Sequence, residues 1–321
     1  MKKVLAMILA AMMLVAMTAC GNAAGNEAED GTYSVGIVQL MEHVALDKAT
    51  QGFRDALTEK LGDKITFDVQ LAGGEATNCT PIVTKFINDG VDLIMANATP
   101  AVIAAKEATS TIPIVGTSVT DYVAAEAAIV ESNEKPGGNV TGYSDLSDIA
   151  AHVELTKKLC PDAKTVAILY CSAEPNSVIQ GNQAEELYAA AGLTTVTLTA
   201  SDITTLSGVV TSACEQADVI YIPTDNLFAE NMEAVKNIAV PAKVPVITGE
   251  GGMVETGGTA SVAIDYYTLG YRAGEMAYSI LAEGADPATT PIGFMTADDM
   301  ELVINQENAD AMGLVIPEDL Q

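Results

Sequence analysis

The residues best placed for chemistry in this chain are acids, amides and hydroxyls at the ends of short apolar runs. Asp225 and Asn226 close the stretch ADVIYIPTDN (217–226), where Val219, Ile220, Tyr221 and Ile222 predict a buried parallel strand opening into a loop. Thr99 and Pro100 close a similar stretch, VDLIMANATP (91–100), and Thr117, Ser118, Thr120 and Asp121 follow the run at 112–115. Glu250 follows the run at 244–247, Glu42 follows 33–38, Asn176 and Ser177 follow 166–170, and Asp265 precedes an apolar helical pattern. A carboxylate such as Asp225, Glu250 or Asp265 accepts an ammonium group. Hydroxyls and the free N–H groups of a helix starting at Thr99-Pro100 donate to a carboxylate. Together they suit a small zwitterion. Asp225, Asp265 and Thr99 are equally good helix caps, so a structural role stands beside the binding role for each.

Catalysis is a poor fit. The two histidines, His43 and His152, are far apart, and the chain has no GxSxG motif. The loop after the first strand reads QLMEH where a dinucleotide fold carries GxGxxG, and there is no P-loop lysine. Cys171 has no cationic neighbour in sequence to lower its pKa. Cys79, Cys160, Cys171 and Cys214 lack CxxC spacing and a histidine partner set, which argues against zinc, and buried free thiols are the expectation. Neither an enzyme activity nor a cofactor or metal is expected.

The elements that position these residues occur twice. The runs at 33–38, 91–96 and 112–115 have counterparts at 164–169, 217–222 and 244–247, in the same order and about 130 residues downstream. The expected fold is α/β, with two Rossmann-like lobes whose parallel sheets point their strand ends at one another across a cleft. A helix at 265–281 has no place in the duplication and is expected to return to the first lobe, and a short strand at 302–304 to the second, making a three-stranded hinge. The boundaries drawn are 33–144 plus 266–290 for lobe one and 145–265 plus 291–321 for lobe two.

At 321 residues, 49% hydrophobic and 18% charged, the chain has enough material for two folded cores. A net charge of −28 argues against a nucleic-acid partner and against electrostatic attachment to anionic lipid. The N-terminus reads as an address: Lys2-Lys3, an apolar run at 4–17, then Thr18-Ala19-Cys20. It resembles a bacterial lipoprotein signal peptide, spanning 1–19, with Cys20 as the lipidated residue and a polar tether at 20–32. The protein is expected in the cell envelope, lipid-anchored to the outer face of the cytoplasmic membrane.

Several motifs taken together carry a family resemblance: VGIVQLMEH (35–43), IPIVGTSVTD (112–121), EKPGGNVTG (134–142), YIPTDN (221–226), GEGGMVETG (249–257) and IDYYTLGY (264–271). The chain resembles the substrate-binding lipoproteins of ABC transporters, of the tryptophan/tyrosine-binding type, from Tyr33 to its end. Val44 stands where typical members carry proline. The resemblance implies a type I periplasmic-binding fold, capture of an aromatic amino acid by hinge closure, and delivery to permease subunits. Other solutes (a branched-chain amino acid, a sugar, a nucleoside) remain alternatives, as does a surface sensor or adhesion lipoprotein on the same fold. The absence of Trp and the presence of only five Phe disfavour a sugar, whose ring usually stacks on such residues.

Overall fold

The computed structural model describes residues 31–123 and 128–321; the expected signal peptide and Cys20 lie outside them. The chain begins with β1 (Tyr33–Gln39), α1 (Val44–Leu61), β2 (Ile65–Leu71), α2 (Ala76–Asp89), β3 (Leu93–Asn97), α3 (Thr99–Ala108), β4 (Ile114–Val119) and β5 (Val140–Ser144). It continues through α4 (Ile149–Leu159), β6 (Thr165–Cys171), α5 (Pro175–Ala190), β7 (Thr194–Ala200), α6 (Ile203–Gln216), β8 (Val219–Ile222), α7 (Asn226–Glu230) and α8 (Met232–Ala242). After β9 (Val246–Thr248), α9 (Gly251–Thr256) and β10 (Ala260–Ile264) come α10 (Tyr266–Glu283), β11 (Gly293–Phe294), β12 (Met300–Ile304) and α11 (Gln306–Met312).

Two six-stranded sheets result, in the orders β2-β1-β3-β4-β5-β11 and β7-β6-β8-β9-β10-β12. The first five strands of each follow the same order, so the duplication read in the sequence is a duplication of topology. The central strands β3 and β8 are buried at every position, as strands covered by helices on both faces must be. The sixth strands differ: β11 runs parallel to β5, whereas β12 runs antiparallel to β10.

Three segments pass between the sheets: 145–148, the step from Ile264 to Tyr266, and 295–299. The last is fastened to α10 by a two-pronged ion pair, Arg272 Nη2 to Asp299 Oδ1 at 2.6 Å and Nη1 to Oδ2 at 2.9 Å. Helix α10 packs on α1 so closely that side chains are excluded. A Cβ on Gly270 would lie 1.9 Å from the Ala49 carbonyl oxygen, and one on Gly52 would lie 2.1 Å from that of Tyr267. Glycine at these positions lets two helices from distant parts of the chain meet backbone to backbone, and this brings α10 back to the first lobe.

One sequence reading is corrected here. The boundary at 291 falls too early, since Gly293 and Phe294 pair with Tyr143 and Ser144 of the first sheet. The segment 226–242 forms two helices, α7 and α8. Asn231 between them has non-helical φ and ψ of −112° and 19° and donates to the Leu227 carbonyl at 2.8 Å. Ser177 lies inside the first turn of α5, and Glu174 holds the cap position.

Candidate functional site

The carboxyl ends of both sheets face one cavity of about 20 Å³, room for little more than a water molecule in this arrangement of the lobes. Lobe one supplies His43, Ala45 and Leu46 from the β1–α1 junction and Ser118 and Thr120 from the end of β4. Lobe two supplies Asn176, Thr224, Asp225, Asn226, Ala229 and Glu250, while Asp145 and Tyr266 come from two of the crossing segments. Groups from both lobes touch directly. His43 Nε2 lies 3.2 Å from Asn226 Oδ1, and Gln180 Nε2 donates to Thr120 Oγ1 at 3.0 Å. At the rim, Lys48 Nζ meets Glu255 Oε1 at 2.8 Å. The cleft is therefore closed.

Three carboxyl groups line the cavity, those of Asp145, Asp225 and Glu250. Asp225 caps α7 by accepting the Phe228 N–H at 2.9 Å, and its other oxygen accepts the Cys171 N–H at 2.6 Å. Burial, and then the Glu174 carboxylate, push its pKa up, against the pull of those two N–H groups. Glu250 caps α9 through the N–H groups of Gly252 at 2.6 Å and Met253 at 2.9 Å, and burial raises it to about 7. Asp145 accepts the Tyr266 hydroxyl at 2.7 Å and the Thr120 hydroxyl at 3.4 Å, and burial raises it to about 6. The sole basic side chain lining the cavity is His43, and burial lowers its pKa. Because Asn226 Nδ2 donates to Glu174, its Oδ1 is the acceptor for His43, so Nε2 carries the proton and Nδ1 is left as an acceptor. Three buried carboxylates around one space repel one another unless a cation or protons intervene.

The same region holds unsatisfied polar atoms. His43 Nδ1, Ser118 Oγ and Asn176 Oδ1 are shut off from solvent without a partner, and all three residues line the cavity. Leaving a buried polar group unpaired costs about 1–3 kcal/mol, a cost that a polar ligand or water removes. Backbone strain sits here too: Ala98 and Ser118, at the ends of β3 and β4, have φ of 92° and 56°.

The structure brings six of the sequence-predicted residues to the cavity: Asp225, Asn226, Ser118, Thr120, Asn176 and Glu250. Ser177 is buried behind them and accepts from Asn176 Nδ2 at 3.2 Å. Thr117 is turned inward, donating to Asn97 Oδ1 at 3.2 Å. Thr99 begins α3, where the N–H groups of Ala101 and Val102 fold back on the Ala98 carbonyl and so offer nothing to a carboxylate. Pro100 lines a second, more open part of the cleft, beside Cys171 and Glu174. Asp121 accepts the Val123 N–H at 2.8 Å on the loop beyond β4. Glu42 is exposed, and Asp265 is exposed and caps α10 through Tyr267 N and the Thr268 hydroxyl, both at 2.9 Å. His43, not its neighbour Glu42, faces the site.

Asp145, Thr224, Gln180 and Tyr266 were not singled out for the site. Asp145 is the first residue past β5, so its place at a strand's carboxyl end was a usable signal. Gln180 lies one turn inside a helix and gave none. Among the described residues the four cysteines are unpaired: Cys79 and Cys171 are buried, Cys160 and Cys214 half-buried, and burial raises all four thiols, Cys171 to about 12.

Residues 34–321 match the family described as ABC transporter substrate binding protein. The chain belongs to that family. It is 38% identical, over 98% of its length and 93% of the relative's, to the tyrosine-binding protein of Clostridioides difficile. An ABC domain from Streptococcus pneumonia in complex with L-Trp is 33% identical, with a TM-score of 0.85 over 90% of this chain and 97% of that one. The ligand-free, open structure of a substrate-binding protein with adhesive properties from Clostridium difficile is 37% identical over the same shares, but its TM-score is 0.69. Greater identity with lower overlap is what a rotation of intact lobes produces, and the contacts across the cleft place this substrate-binding protein in the closed arrangement. Its two-sheet architecture is the type I periplasmic-binding fold.

Proposed function

We propose that this substrate-binding protein captures a free aromatic amino acid (tyrosine, tryptophan or phenylalanine) between its lobes and passes it to the permease of an ABC importer. The observation that carries the reading is the convergence of Asp225 and Glu250, from lobe two, and Asp145, from a crossing segment, on one buried cavity with no cationic side chain. An ammonium group supplies the missing charge. A charge-assisted hydrogen bond contributes roughly 1.5–3 kcal/mol net, and it forms here only when the cleft closes, so it biases closure. Ala45, Leu46, Ala229 and Tyr266 give the same cavity apolar wall for a side chain. The ligands named for the two relatives, tyrosine and L-Trp, narrow the class to aromatic amino acids. Lipidation at Cys20 and docking to permease subunits belong to the same proposal. The likeness to a protein with adhesive properties favours a second role at the cell surface, which is compatible with solute capture.

The test is thermal. Protein unfolded to strip solute and refolded is melted against the amino acids, a sugar and a nucleoside. A ligand of the folded state adds RT ln(1 + [L]/Kd), about 2.7 kcal/mol at a hundredfold excess over Kd. A rise in Tm with tyrosine, tryptophan or phenylalanine is expected; a rise with the sugar or nucleoside alone would refute the assignment.

A further inference from the structure

We propose that Gln180 is a positioning residue for closure, its carboxamide latching Thr120 of lobe one to lobe two and so setting how long a captured solute stays; this rests on reading the chain as closing on an amino acid. Gln180 lies in α5, is fully buried and forms no part of the cavity wall. It reaches the solute only through other residues. Its Oε1 accepts the Ser147 hydroxyl at 3.2 Å, and Ser147 belongs to the first crossing segment. The two hydrogens of Nε2 go to the Thr224 hydroxyl, in its own lobe, and across the cleft to Thr120 Oγ1 at 3.0 Å.

The bond across the cleft has its direction fixed at both ends. Thr120 gives its one hydroxyl hydrogen to Asp145 Oδ1 at 3.4 Å, so toward Gln180 it can only accept. Asp145 also accepts the Tyr266 hydroxyl at 2.7 Å. One chain of hydrogen bonds therefore runs from lobe two through lobe one to two of the crossing segments, and Ser147 returns it to Gln180. Rotation of the lobes carries Thr120 away at the end of β4, while Thr224 stays with Gln180. Both partners in the latch are buried, at 0% and 2% exposure, so water competes with it little. Lys48 and Glu255, by contrast, meet in solvent.

A contact made after encounter slows dissociation and leaves association alone. Dissociation is read from the loss of isotope-labelled tyrosine after an unlabelled chase, and association from that rate divided by the calorimetric Kd. The ligand-stripped protein is compared in the native sequence, Gln180→Met, Thr120→Val and the double variant. Gln180→Met keeps the volume and removes the amide. Tyrosine should leave it at least about fivefold faster, with association within about twofold of native. A merely structural Gln180, acting through Ser147 and Thr224, would have the same effect whichever residue stands at 120. A latch acts through Thr120. In the Thr120→Val background, Gln180→Met should therefore change dissociation by less than about twofold, and in Thr120→Ser, which keeps the hydroxyl, its effect should return. Should Gln180→Met fail to fold, Ser147→Ala frees the amide from outside the cavity, and the same masking by Thr120→Val is expected of it. If the thermal panel selects another amino acid, that one replaces tyrosine. A loss carried by association, an unchanged dissociation rate, or equal effects in both backgrounds overturns the latch while the amino-acid reading stands. Failure of every amino acid to bind overturns both.

Discussion

At the scale of single residues, Asp225 carries out two tasks with one carboxylate: it caps α7 and holds the Cys171 N–H, and it faces the cavity beside Glu174. Its substitution therefore separates binding from folding only if the replacement keeps an acceptor. Asp225→Asn should weaken amino-acid binding by about 1.5–3 kcal/mol, or roughly ten- to a hundredfold, by calorimetry. Its denaturant midpoint should fall by no more than the ~1 kcal/mol of a lost cap. Asp145 and Glu250 give a second prediction, in pH. Their pKa values, raised by burial to about 6 and about 7, lie above the ordinary carboxylate range. Groups raised in this way impose no cost below the unfolded values near pH 4, and their full cost applies above the folded ones. Ligand-free stability should therefore decline as pH rises from about 4 to about 7. An arriving ammonium displaces the retained protons. Binding near pH 6 should release protons, seen as a heat that changes with the buffer's ionisation enthalpy, and this dependence should fade by about pH 8. The acids at strand ends could be read from the sequence because Asp225 and Glu250 follow apolar runs. Which of two neighbours turns inward could not, and that is why Glu42 was favoured over His43.

Two glycines separate fold from motion at the scale of elements. Gly252, in α9 of lobe two, faces Val44 at the start of α1 in lobe one; a Cβ there would lie 2.8 Å from the Val44 Cβ. That contact exists only when the lobes are together. Gly252→Ala should hold the cleft ajar, weakening ligand binding while leaving the ligand-free Tm nearly unchanged. Gly270 faces Ala49 within lobe one, where no hinge motion relieves the clash. Gly270→Ala should lower the Tm outright, by the ~1–3 kcal/mol of an overpacked core or more. Equal losses of stability in both variants would refute the distinction. The recurrence of the same strands along the chain could be read from the repeated apolar runs. The join between α7 and α8 could not, because Asn231 breaks the helix without Pro or Gly to mark it. Nor could β11, since a two-residue strand has too little pattern to be seen.

For the whole molecule, two lobes of one topology are held closed by sparse contacts: His43 to Asn226, Gln180 to Thr120, and the exposed pair Lys48–Glu255. An exposed ion pair contributes only about 0–1 kcal/mol, too little to keep three buried carboxylates together unaided. On the proposed function, the ligand's ammonium supplies the counter-charge. The duplication, and with it the existence of a cleft, was legible because each lobe repeats the same runs. The Asp145–Tyr266–Thr120–Gln180 network was not, because its members come from four segments that only the closed arrangement brings together. The most direct test is calorimetric titration of the ligand-stripped protein with tyrosine and with its analogue lacking only the amine. Tyrosine is predicted to bind and the des-amino analogue to give no measurable heat; binding of the two with similar affinity would contradict recognition of an ammonium by the acidic cavity.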